Sequence, residues 1–592
     1  MVKSLYRNNI KYIKDLNLSL FKKIENTSIE NSYIVKSRDG NKNIVKNTDK
    51  GKIHIHSSYD IKAEAEYLSN FALKENPDII FLFGIGLGYE LKKMKKKNPD
   101  ARYFVVEPDC EIFKLALQNK NMKFLFEDSN LYFIQDNQYE NIINFFQQVI
   151  KDDKNINIKF IIIPSYESIY KELINKVYEY IKVVINIFKV NIATNLFNHR
   201  QWYQNGICNL KYLKETCPVS ALKESFKGVP AIIVSAGSSL NENIEFIEKV
   251  KDKAVIAAVG TGIAIMEKNK IKVNIAGALD GSKLEEDLLK GIDINRDAAL
   301  FYSSVLYYTI ASKIGNSKFL MNTTYFDEYY DKILNWDEFD IYSGPSVANT
   351  IAYNLSNLGC NPIIFLGQDL CYSMDKNYAD GIEDVKGKNE IDENTKKDCT
   401  ITQNKLGEDV YTNDGFMAMK ELMEDCISLF PDITYLNGTS KGLKIQGTLD
   451  IDFNEYAQKE LITRNDNDFD EVIEKTYQNY LKNLDVDFIN KTLKDIEQQN
   501  DKITDICKEI LNYIIDNDVQ KINKFVEKKK SELNEISFYK EVMVKYLDGI
   551  DYIFKKLNYK DKNLKIYSYI LDKCLIMKNA FTYEVYGGSK NE

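Results

Sequence analysis

Short apolar runs alternate with longer helical stretches in two separate parts of the chain, and this pattern constrains the fold more than any other feature. Short continuous apolar runs are typical of strands that are buried on both faces. The helical stretches between them are long enough to serve as the crossovers that parallel neighbours require. The pattern therefore predicts two parallel sheets. The first series of runs comprises residues 79–83, 103–106, 132–134 and 160–163, and the second comprises 231–235, 254–259, 273–279, 299–303 and 362–367.

Proline is confined to the middle of the chain, since all nine Pro lie between Pro77 and Pro431. Beyond them, apolar side chains recur at mixed spacings of about three and four, as in amphipathic helices. We therefore expect an α/β protein with two Rossmann-like parallel-sheet units, a helical connector and an all-α C-terminal region. The expected divisions are an N-terminal Rossmann-like domain at 1–165, the connector at 166–227, a central domain at 228–450 and a C-terminal helical domain at 451–592.

Composition excludes several classes of function. The net charge of -8 argues against sequence-independent binding to nucleic acid. No apolar run approaches the ~18 residues of a membrane-spanning helix, so no membrane association is expected. The nine Cys include no CxxC pair, which argues against a zinc knuckle and favours a reducing, cytoplasmic setting. Because only six residues are Arg, an anion site must depend on backbone N–H groups, hydroxyls and Lys.

The first unit contains a Gly-rich turn directly after an apolar run. Gly84, Gly86 and Gly88 form this turn, and Glu107 stands 23 residues after Gly84 at the end of the next run. In dinucleotide-binding and methyltransferase-like units, such glycines let backbone N–H groups approach a ligand and the acid binds ribose hydroxyls. The alternative is that the turn only packs a helix on a strand. The sequence leaves both interpretations open.

The second unit places small and polar residues after three successive runs. Ligands of open parallel sheets bind at the carboxyl ends of the strands, and hydroxyls and small residues there can hold a phosphate at a helix N-terminus. The sequence therefore predicts a ligand site at this edge of the sheet. The residues concerned are Ala236, Gly237, Ser238 and Ser239 after the first run, Gly260 and Thr261 after the second, and Asp280 after the third.

Later segments add candidates to the same edge. Asp369 follows the run at 362–367, and residues 375–409, which are polar and poor in large apolar side chains, are expected to form a long loop or lid. The further candidates are Ser343, Gly344 and Ser346 at a predicted helix start, Tyr372 and Tyr378 around the lid, and Asn437 and Lys441 in the Gly-rich turn 437–447.

In this order and at this approximate spacing, the motifs resemble those of the motility accessory factor flagellin glycosyltransferases. The central domain of that family is similar to bacterial sialyltransferases that use CMP-activated sugars. The resemblance covers most of the chain, but Ser238 stands where Pro is more frequent and Tyr378 stands where many relatives carry His. The motifs that carry it are Ser235-Ala236-Gly237-Ser238-Ser239-Leu240, residues 343–348, Gly367-Gln368-Asp369-Leu370 and residues 437–447.

The resemblance implies a cytoplasmic, inverting O-glycosyltransferase. It would transfer a nonulosonic acid or a related 2-keto sugar acid from its CMP-activated donor to Ser or Thr hydroxyls of flagellin. No cofactor beyond the CMP-sugar donor is implied, and the remaining domains would bind flagellin or organise a homo-oligomer. The implied donor-nucleotide residues are Ala236, Gly237, Ser238, Ser239, Gly260, Thr261, Asp280, Ser343, Gly344, Ser346 and Tyr372, while Asn437 and Lys441 would contact sugar or phosphate.

The general base is the least determined part of this interpretation. The only His residues are His54, His56 and His199, so a His base between residues 228 and 447 is excluded. Tyr has an ordinary pKa near ~10 and is a poor base at neutral pH. Tyr378 is therefore expected to donate a hydrogen bond to the leaving phosphate. The candidates for the base are Asp369, Asp375 and Asp380.

Two other classes of function stay open, and no metal is assigned. The central motifs also resemble archaeal pterin pyrophosphokinases, which would use ATP and a metal to transfer diphosphate, although no GxxxxGK[ST] loop is present. The other class is a non-catalytic flagellin-binding accessory protein. His54 and His56 alternate on a short apolar segment and are interpreted as one face of a surface strand without an acidic partner.

Overall fold

Continuous apolar runs form the central strands of two parallel sheets, and the side chains of these strands are buried. The chain divides into two compact units, Met1–Thr194 and Asn195–Glu592. The computed structural model describes residues 2–74, 76–150, 157–342, 344, 346–372, 393–397, 399–517, 519–547, 554 and 557–586.

The first unit contains two sheets. Strands β1 (Ser32–Lys36), β2 (Lys42–Thr48) and β3 (Gly51–His54) form an antiparallel sheet. Strands β4 (Ile79–Phe83), β5 (Arg102–Val106), β6 (Leu131–Ile134) and β7 (Ile158–Ile162) form a parallel sheet in the order β6-β5-β4-β7. Every side chain of β4 is buried, as expected for a central strand of a parallel sheet. The four predicted runs of this unit are therefore confirmed as strands.

Helices follow the strands of the first unit and supply its crossovers. Asp109 caps one of them, α5, by accepting hydrogen bonds from the backbone N–H groups of Glu111 and Ile112 at 2.9 and 3.2 Å. The helices are α1 (Val2–Leu16), α2 (Leu18–Asn26), α3 (Ile61–Ala72), α4 (Tyr89–Lys97), α5 (Cys110–Asn119), α6 (Phe124–Glu127), α7 (Tyr139–Ile150), α8 (Pro164–Ile169) and α9 (Lys171–Cys208). Helix α9 contains the boundary between the two units.

The second unit is built on one nine-stranded sheet whose neighbouring strands are all parallel. Its strands are β8 (Thr216–Pro218), β9 (Ala231–Val234), β10 (Val255–Val259), β11 (Ile275–Ala278), β12 (Ala299–Tyr302), β13 (Lys318–Leu320), β14 (Ile363–Leu366), β17 (Tyr435–Asn437) and β18 (Thr448–Asp450). Their order is β18-β17-β14-β9-β10-β11-β12-β13-β8.

The strand order reverses at β9. From β9 the chain adds β10 to β13 on one side and then returns to place β14 on the other side. In open α/β sheets a ligand crevice forms at such a switch point, outside the carboxyl ends of the strands. Strand β8, from the range predicted as a helical connector, pairs with β13 at the sheet edge. The four-part division of the chain stays a prediction.

A hairpin occupies part of the segment that the sequence predicts to be a loop. Helix α15 (Glu393–Lys397) precedes strands β15 (Thr400–Gln403) and β16 (Asp409–Thr412), which pair antiparallel. The loop prediction is wrong for these residues, because β15 is largely exposed and therefore lacks the apolar pattern of a buried strand. Residues 373–392 and 398 lie outside the described residues.

The C-terminal region is helical, and after Asp450 no strand occurs in the part of the chain that the structure describes. Buried apolar residues of the longest helix of this region recur at helical spacing, for example Ile489, Leu493 and Ile496. Besides α15, the second unit contains after α9 the helices α10 (Ile244–Lys249), α11 (Thr261–Lys268), α12 (Lys283–Leu288), α13 (Tyr325–Leu334), α14 (Val347–Asn357), α16 (Asp414–Leu429), α17 (Phe453–Tyr456), α18 (Phe469–Lys482), α19 (Val486–Asp516), α20 (Val519–Asn534), α21 (Ser537–Glu541) and α22 (Tyr559–Ala580). Across the described ranges, no helix has the length and apolarity needed to cross a membrane.

Candidate functional site

A pocket of about 280 Å³ lies at the switch point of the nine-stranded sheet. The segments that follow β9, β10 and β14 form one side of it, and the start of α14 and the first turns of α16 form the other. Asp369 is the one ionisable carboxylate among the described lining residues, and no Lys or Arg is among them. The lining consists of Ser235, Ala236, Gly237, Val259, Gly260, Thr261, Ser346, Val347, Ala348, Gly367, Gln368, Asp369, Leu370, Cys371, Phe416 and Met419.

The Gly-rich loop after β9 is held against the loop after β14 by main-chain hydrogen bonds. The N–H of Ser235 donates to the Leu366 carbonyl at 2.9 Å, and the N–H of Gly237 donates to the Gly367 carbonyl at 2.7 Å. A Cβ atom at Gly237 would lie 2.5 Å from the Asp369 carboxyl carbon and 2.5 Å from the Gly367 oxygen. Position 237 therefore admits only glycine in this arrangement.

Two helix N-termini point at the pocket. Helix α11 begins at Thr261, and helix α14 begins at Val347 with Ser346 as its N-cap. The Ser346 hydroxyl accepts a hydrogen bond from the Asn349 N–H at 3.4 Å. Neither helix has an acidic residue in its first turn. Since the first N–H groups of a helix lack intrahelical partners and carry partial positive charge, the two ends favour an anion between them.

The carboxylate of Asp369 is directed at the Gly-rich loop. Its Oδ2 accepts hydrogen bonds from the Ser239 N–H at 2.9 Å and the Ser238 hydroxyl at 3.3 Å. Its Oδ1 accepts a short hydrogen bond from the Ser239 hydroxyl. Burial raises the pKa of Asp369, while the hydrogen bonds from Ser239 oppose this rise. The carboxylate thus fixes the loop on which four of the predicted donor-nucleotide residues lie, Ala236, Gly237, Ser238 and Ser239.

The remaining wall of the pocket combines one polar side chain with an apolar surface. Gln368 is buried and accepts a hydrogen bond from the Ser235 hydroxyl at 2.6 Å through Oε1. Phe416 and Met419 lie on α16 and face the cavity. Burial raises the pKa of the Cys371 thiol to about 12, so this thiol is neutral at physiological pH. The described lining therefore combines two helix N-termini, which favour an anion, with apolar side chains.

Six of the predicted site residues line this pocket, namely Ala236, Gly237, Gly260, Thr261, Ser346 and Asp369. Ser238 and Ser239 lie beside it in contact with Asp369. The predicted residues Ser343, Tyr378 and Asp380, and also Asp375, lie outside the described residues. Their roles stay predictions.

The other predicted residues do not line the pocket. Asp280 accepts a hydrogen bond from the Ser282 N–H at 2.8 Å, and Gly344 packs on the side chain of Asn349. The Tyr372 ring meets the Phe416 ring edge to face, with 4.8 Å between the ring centres. Asn437 is buried and accepts a hydrogen bond from the Thr439 N–H at 3.1 Å, whereas Lys441 is exposed. In this structure Asn437 stabilises a turn.

The sequence patterns do not predict a role in the pocket for Gln368 or for the apolar residues Phe416 and Met419. Phe416 and Met419 occupy ordinary positions of an amphipathic helix, and nothing in their spacing marks them as ligand contacts. Gln368 stands within a motif that the sequence did single out. A polar residue directly after a predicted strand is the sequence signal that could have identified it.

In the first unit, the protein's own side chains occupy the Gly-rich turn. Glu107 accepts hydrogen bonds from the N–H groups of Ile85 at 3.1 Å and Gly86 at 3.3 Å. The Leu87 N–H donates to Nε2 of His56 at 2.8 Å. The N–H groups that would bind a phosphate thus have partners within the unit. This favours the packing interpretation of the turn over nucleotide binding.

The prediction that His56 lies on a surface strand without an acidic partner is wrong. His56 is 2% exposed, and its Nδ1 lies 3.0 Å from Oε1 of Glu90, which is also buried. Burial opposes a charge on His56, whereas the Glu90 carboxylate raises its pKa. Because Nε2 accepts a hydrogen bond from Leu87, the ring proton is assigned to Nδ1, which then donates to Glu90.

This tautomer does not suit a metal ligand. His56, Glu64 and Glu90 bring three potential ligand atoms within 4.8 Å of one another. A metal at Nδ1 would need the lone pair there and the proton on Nε2, where the Leu87 N–H already points. The cluster is therefore best described as a buried hydrogen-bonded pair with a nearby carboxylate.

Together these features define an α/β protein with a doubly wound central sheet, a ligand-sized pocket at its switch point and an all-α C-terminal region. Over 98% of its length the chain shares its fold with a solved MAf glycosyltransferase from Magnetospirillum magneticum AMB-1, of which 96% is covered. The TM-score is 0.55 and the sequence identity is 14%. The resemblance to the motility accessory factor glycosyltransferases is thus confirmed at the level of the fold.

The family model described as 6-hydroxymethylpterin diphosphokinase MptE-like matches residues 204–375. This segment contains β8 to β14 and most of the pocket lining. A comparison with curated proteins gives no match.

Proposed function

We propose that this chain is a glycosyltransferase and that its central pocket binds a CMP-activated nonulosonic acid or related 2-keto sugar acid. The observation that carries the proposal is the convergence of two helix N-termini on one pocket at the switch point. The fold shared with a MAf glycosyltransferase supports the reaction class. The acceptors would be Ser or Thr hydroxyls of flagellin, and the protein would act in the cytoplasm, where its nine Cys, none in a disulfide, are stable.

The pocket suits a phosphate that is bound without positively charged side chains. Helices α11 and α14 direct their N-terminal N–H groups and partial positive charge at the same space. The Thr261 and Ser346 hydroxyls stand at these helix starts. Such fixed dipoles stabilise the charge that grows on a leaving phosphate without having to reorganise. This end of the pocket would bind the phosphate of CMP.

The apolar wall suits a planar base. Phe416 and Met419 present an aromatic ring and a polarisable thioether to the pocket, and the Tyr372 ring packs edge to face against Phe416. Ligand pockets commonly combine such a wall with a few polar groups that set orientation. Gln368, whose Oε1 is occupied by the Ser235 hydroxyl, would supply one of these polar groups through its amide. The cytosine ring is proposed to lie against Phe416.

The transfer would be inverting. A base removes the proton from the acceptor hydroxyl, whose oxygen forms a bond to the anomeric carbon of the sugar acid. The bond from that carbon to the phosphate oxygen breaks at the same time, and CMP leaves with the electron pair. Charge on the sugar makes the transition state oxocarbenium-like, as in glycosidases. The candidates proposed from the sequence for the base are Asp369, Asp375 and Asp380, and Tyr378 is proposed to donate a hydrogen bond to the leaving phosphate.

A second function is favoured by one observation, the match of residues 204–375 to the 6-hydroxymethylpterin diphosphokinase MptE-like model. An ATP-dependent diphosphotransferase would need carboxylates for Mg²⁺. Among the described lining residues the one carboxylate is Asp369, and both of its oxygens accept hydrogen bonds from Ser238 and Ser239. Because the described lining offers Mg²⁺ one carboxylate whose oxygens already accept hydrogen bonds, it favours the CMP-sugar proposal.

Thermal unfolding with CMP, and separately with ATP and Mg²⁺, tests the proposal. A ligand that binds the native state but not the unfolded state stabilises the native state by an amount that grows with the ratio of free ligand concentration to Kd, so the unfolding temperature rises with ligand concentration. CMP is expected to protect the wild-type chain. Phe416→Ala is expected to weaken CMP binding roughly tenfold, since base stacking on an aromatic ring contributes about 1–3 kcal/mol.

Phe430→Ala is the matched control. Phe430 lies at the other end of α16, is similarly half-buried and packs on Tyr353. CMP protection of this variant should equal that of the wild type. Protection by ATP and Mg²⁺ but not by CMP would support the diphosphotransferase instead.

A further inference from the structure

Asp369 lies where three loops of the central sheet meet. Its carboxylate contacts Ser238 and Ser239 in the loop after β9. Its main-chain carbonyl accepts a hydrogen bond from the Leu443 N–H at 2.9 Å, in the turn after β17. That turn approaches so closely that a Cβ atom at Gly442 would lie 2.8 Å from the Cα atom of Asp369. One residue therefore joins three segments that the sequence singled out separately.

The acceptor capacity of the carboxylate is largely used within the protein. Oδ2 accepts two hydrogen bonds and Oδ1 accepts one, all from Ser238 and Ser239. The residue is 4% exposed. A general base must reach the substrate hydroxyl with a lone pair that is not engaged elsewhere. The geometry of Asp369 fits a support for the loop better than a base.

We propose that Asp369 is a positioning residue that holds the loop from Ser235 to Ser239 in its donor-binding shape, and that it is not the general base. That this loop binds a sugar donor rests on the proposed function, whereas the anchoring of the loop rests on the observed contacts alone. Ala236 and Gly237 line the pocket and belong to this loop. Releasing Ser239 would therefore loosen a part of the pocket lining.

Asp369→Asn and Asp369→Ala separate the two roles. In Asp369→Asn, the amide oxygen can accept from the Ser239 N–H while the amide nitrogen donates to the Ser239 hydroxyl, so the loop is retained. In Asp369→Ala the Ser239 N–H loses its acceptor. The full chain is compared by hydrogen–deuterium exchange of the peptide that contains Ser239, by titration with CMP, and by the pH profile of sugar transfer.

We expect Asp369→Asn to keep wild-type exchange, to bind CMP within about threefold of the wild type, and to keep the acid limb of the pH profile with at most a roughly tenfold lower kcat. We expect Asp369→Ala to exchange faster at Ser239 and to bind CMP at least ~tenfold more weakly. Ser239→Ala removes only one of the hydrogen bonds and keeps Asp369 in place. It should be intermediate, and it replaces Asp369→Ala if that variant does not fold.

Loss of about a thousandfold or more in kcat for Asp369→Asn, with CMP affinity and exchange unchanged, would overturn the inference and identify Asp369 as the base. Unchanged exchange at Ser239 in both Asp369→Ala and Ser239→Ala would also overturn it. Absence of CMP binding and of transfer in the wild type would contradict the proposed function alone, because the exchange measurement needs no ligand.

Discussion

Side-chain acceptors hold both Gly-rich turns of this protein. In the first unit, Glu107 and His56 accept the backbone N–H groups of three successive residues of the turn. In the second unit, Asp369 accepts the N–H of Ser239 at the far end of the loop. The difference lies in what is left for a ligand. The first turn is satisfied internally, whereas the second forms the wall of an open pocket.

His56 and His54 form a matched pair for a test of the first turn. His56→Ala removes the acceptor of the Leu87 N–H and the donor to Glu90, leaving buried polar groups without partners. We expect it to lower the free energy of unfolding by about 2–4 kcal/mol. His54 is exposed, so His54→Ala should stay within about 0.5 kcal/mol of the wild type. Urea titration measures both, and equal effects would contradict the described contacts.

Residue types along the chain indicated candidate site residues but not which of them contact one another. Asp369 was identified as a candidate because it follows a strand, yet only the fold brings it to Ser239, about 130 positions away. The burial of His56 depends in the same way on α4, which supplies Glu90. Partners that are distant in sequence cannot be assigned from one chain by spacing.

At the scale of elements, the strands formed by continuous apolar runs were predictable, whereas several very short or exposed strands were not. β4, β9 and β10 are continuous apolar runs because both of their faces are covered. β8 and β18 have three residues each, too few to show a periodic pattern, and β15 is largely exposed. The strand order that places β9 beside both β10 and β14 was also beyond the sequence, although it is what forms the pocket.

The packing of helix α22 in the C-terminal region buries Lys573, which leads to a pH-dependent prediction. Lys573 is 2% exposed, and its ammonium group lies 4.9 Å from the ring centre of Tyr203 and 5.0 Å from that of Tyr569. Burial lowers the pKa of Lys573 to about 7. Between that value and the ordinary Lys pKa, folding releases a proton, so this group makes the protein more stable as pH rises.

Lys573→Met removes the buried amine while keeping a side chain of similar length. We expect the variant to be more stable than the wild type at pH 7 by on the order of 2–4 kcal/mol. This difference in the free energy of unfolding should become smaller towards about pH 10, because the wild type gains stability as pH rises over that range. Thermal unfolding of both proteins at pH 7 and at about pH 9.5 measures the difference. A difference in stability between the two proteins that does not change with pH would show that Lys573 does not change its protonation on folding.

At the scale of the whole molecule, the likeness to the MAf glycosyltransferase spans 98% of the chain, so it includes both α/β units and the helical region. The pterin diphosphokinase-like model is restricted to residues 204–375 in the second unit. Parts outside that segment are thus shared with a glycosyltransferase fold. We propose that they bind the flagellin acceptor or a second copy of the chain.

The central claim is sugar transfer to flagellin by the pocket of the second unit. The intact mass of flagellin, coexpressed with this protein and a pathway for a CMP-activated sugar acid, tests it most directly. We predict an increase of one or more sugar-acid units with the wild type and with Phe430→Ala, and a strongly reduced increase with Phe416→Ala. An unchanged flagellin mass across several donors, with flagellin still co-purifying, would contradict the claim and support a non-catalytic flagellin-binding protein.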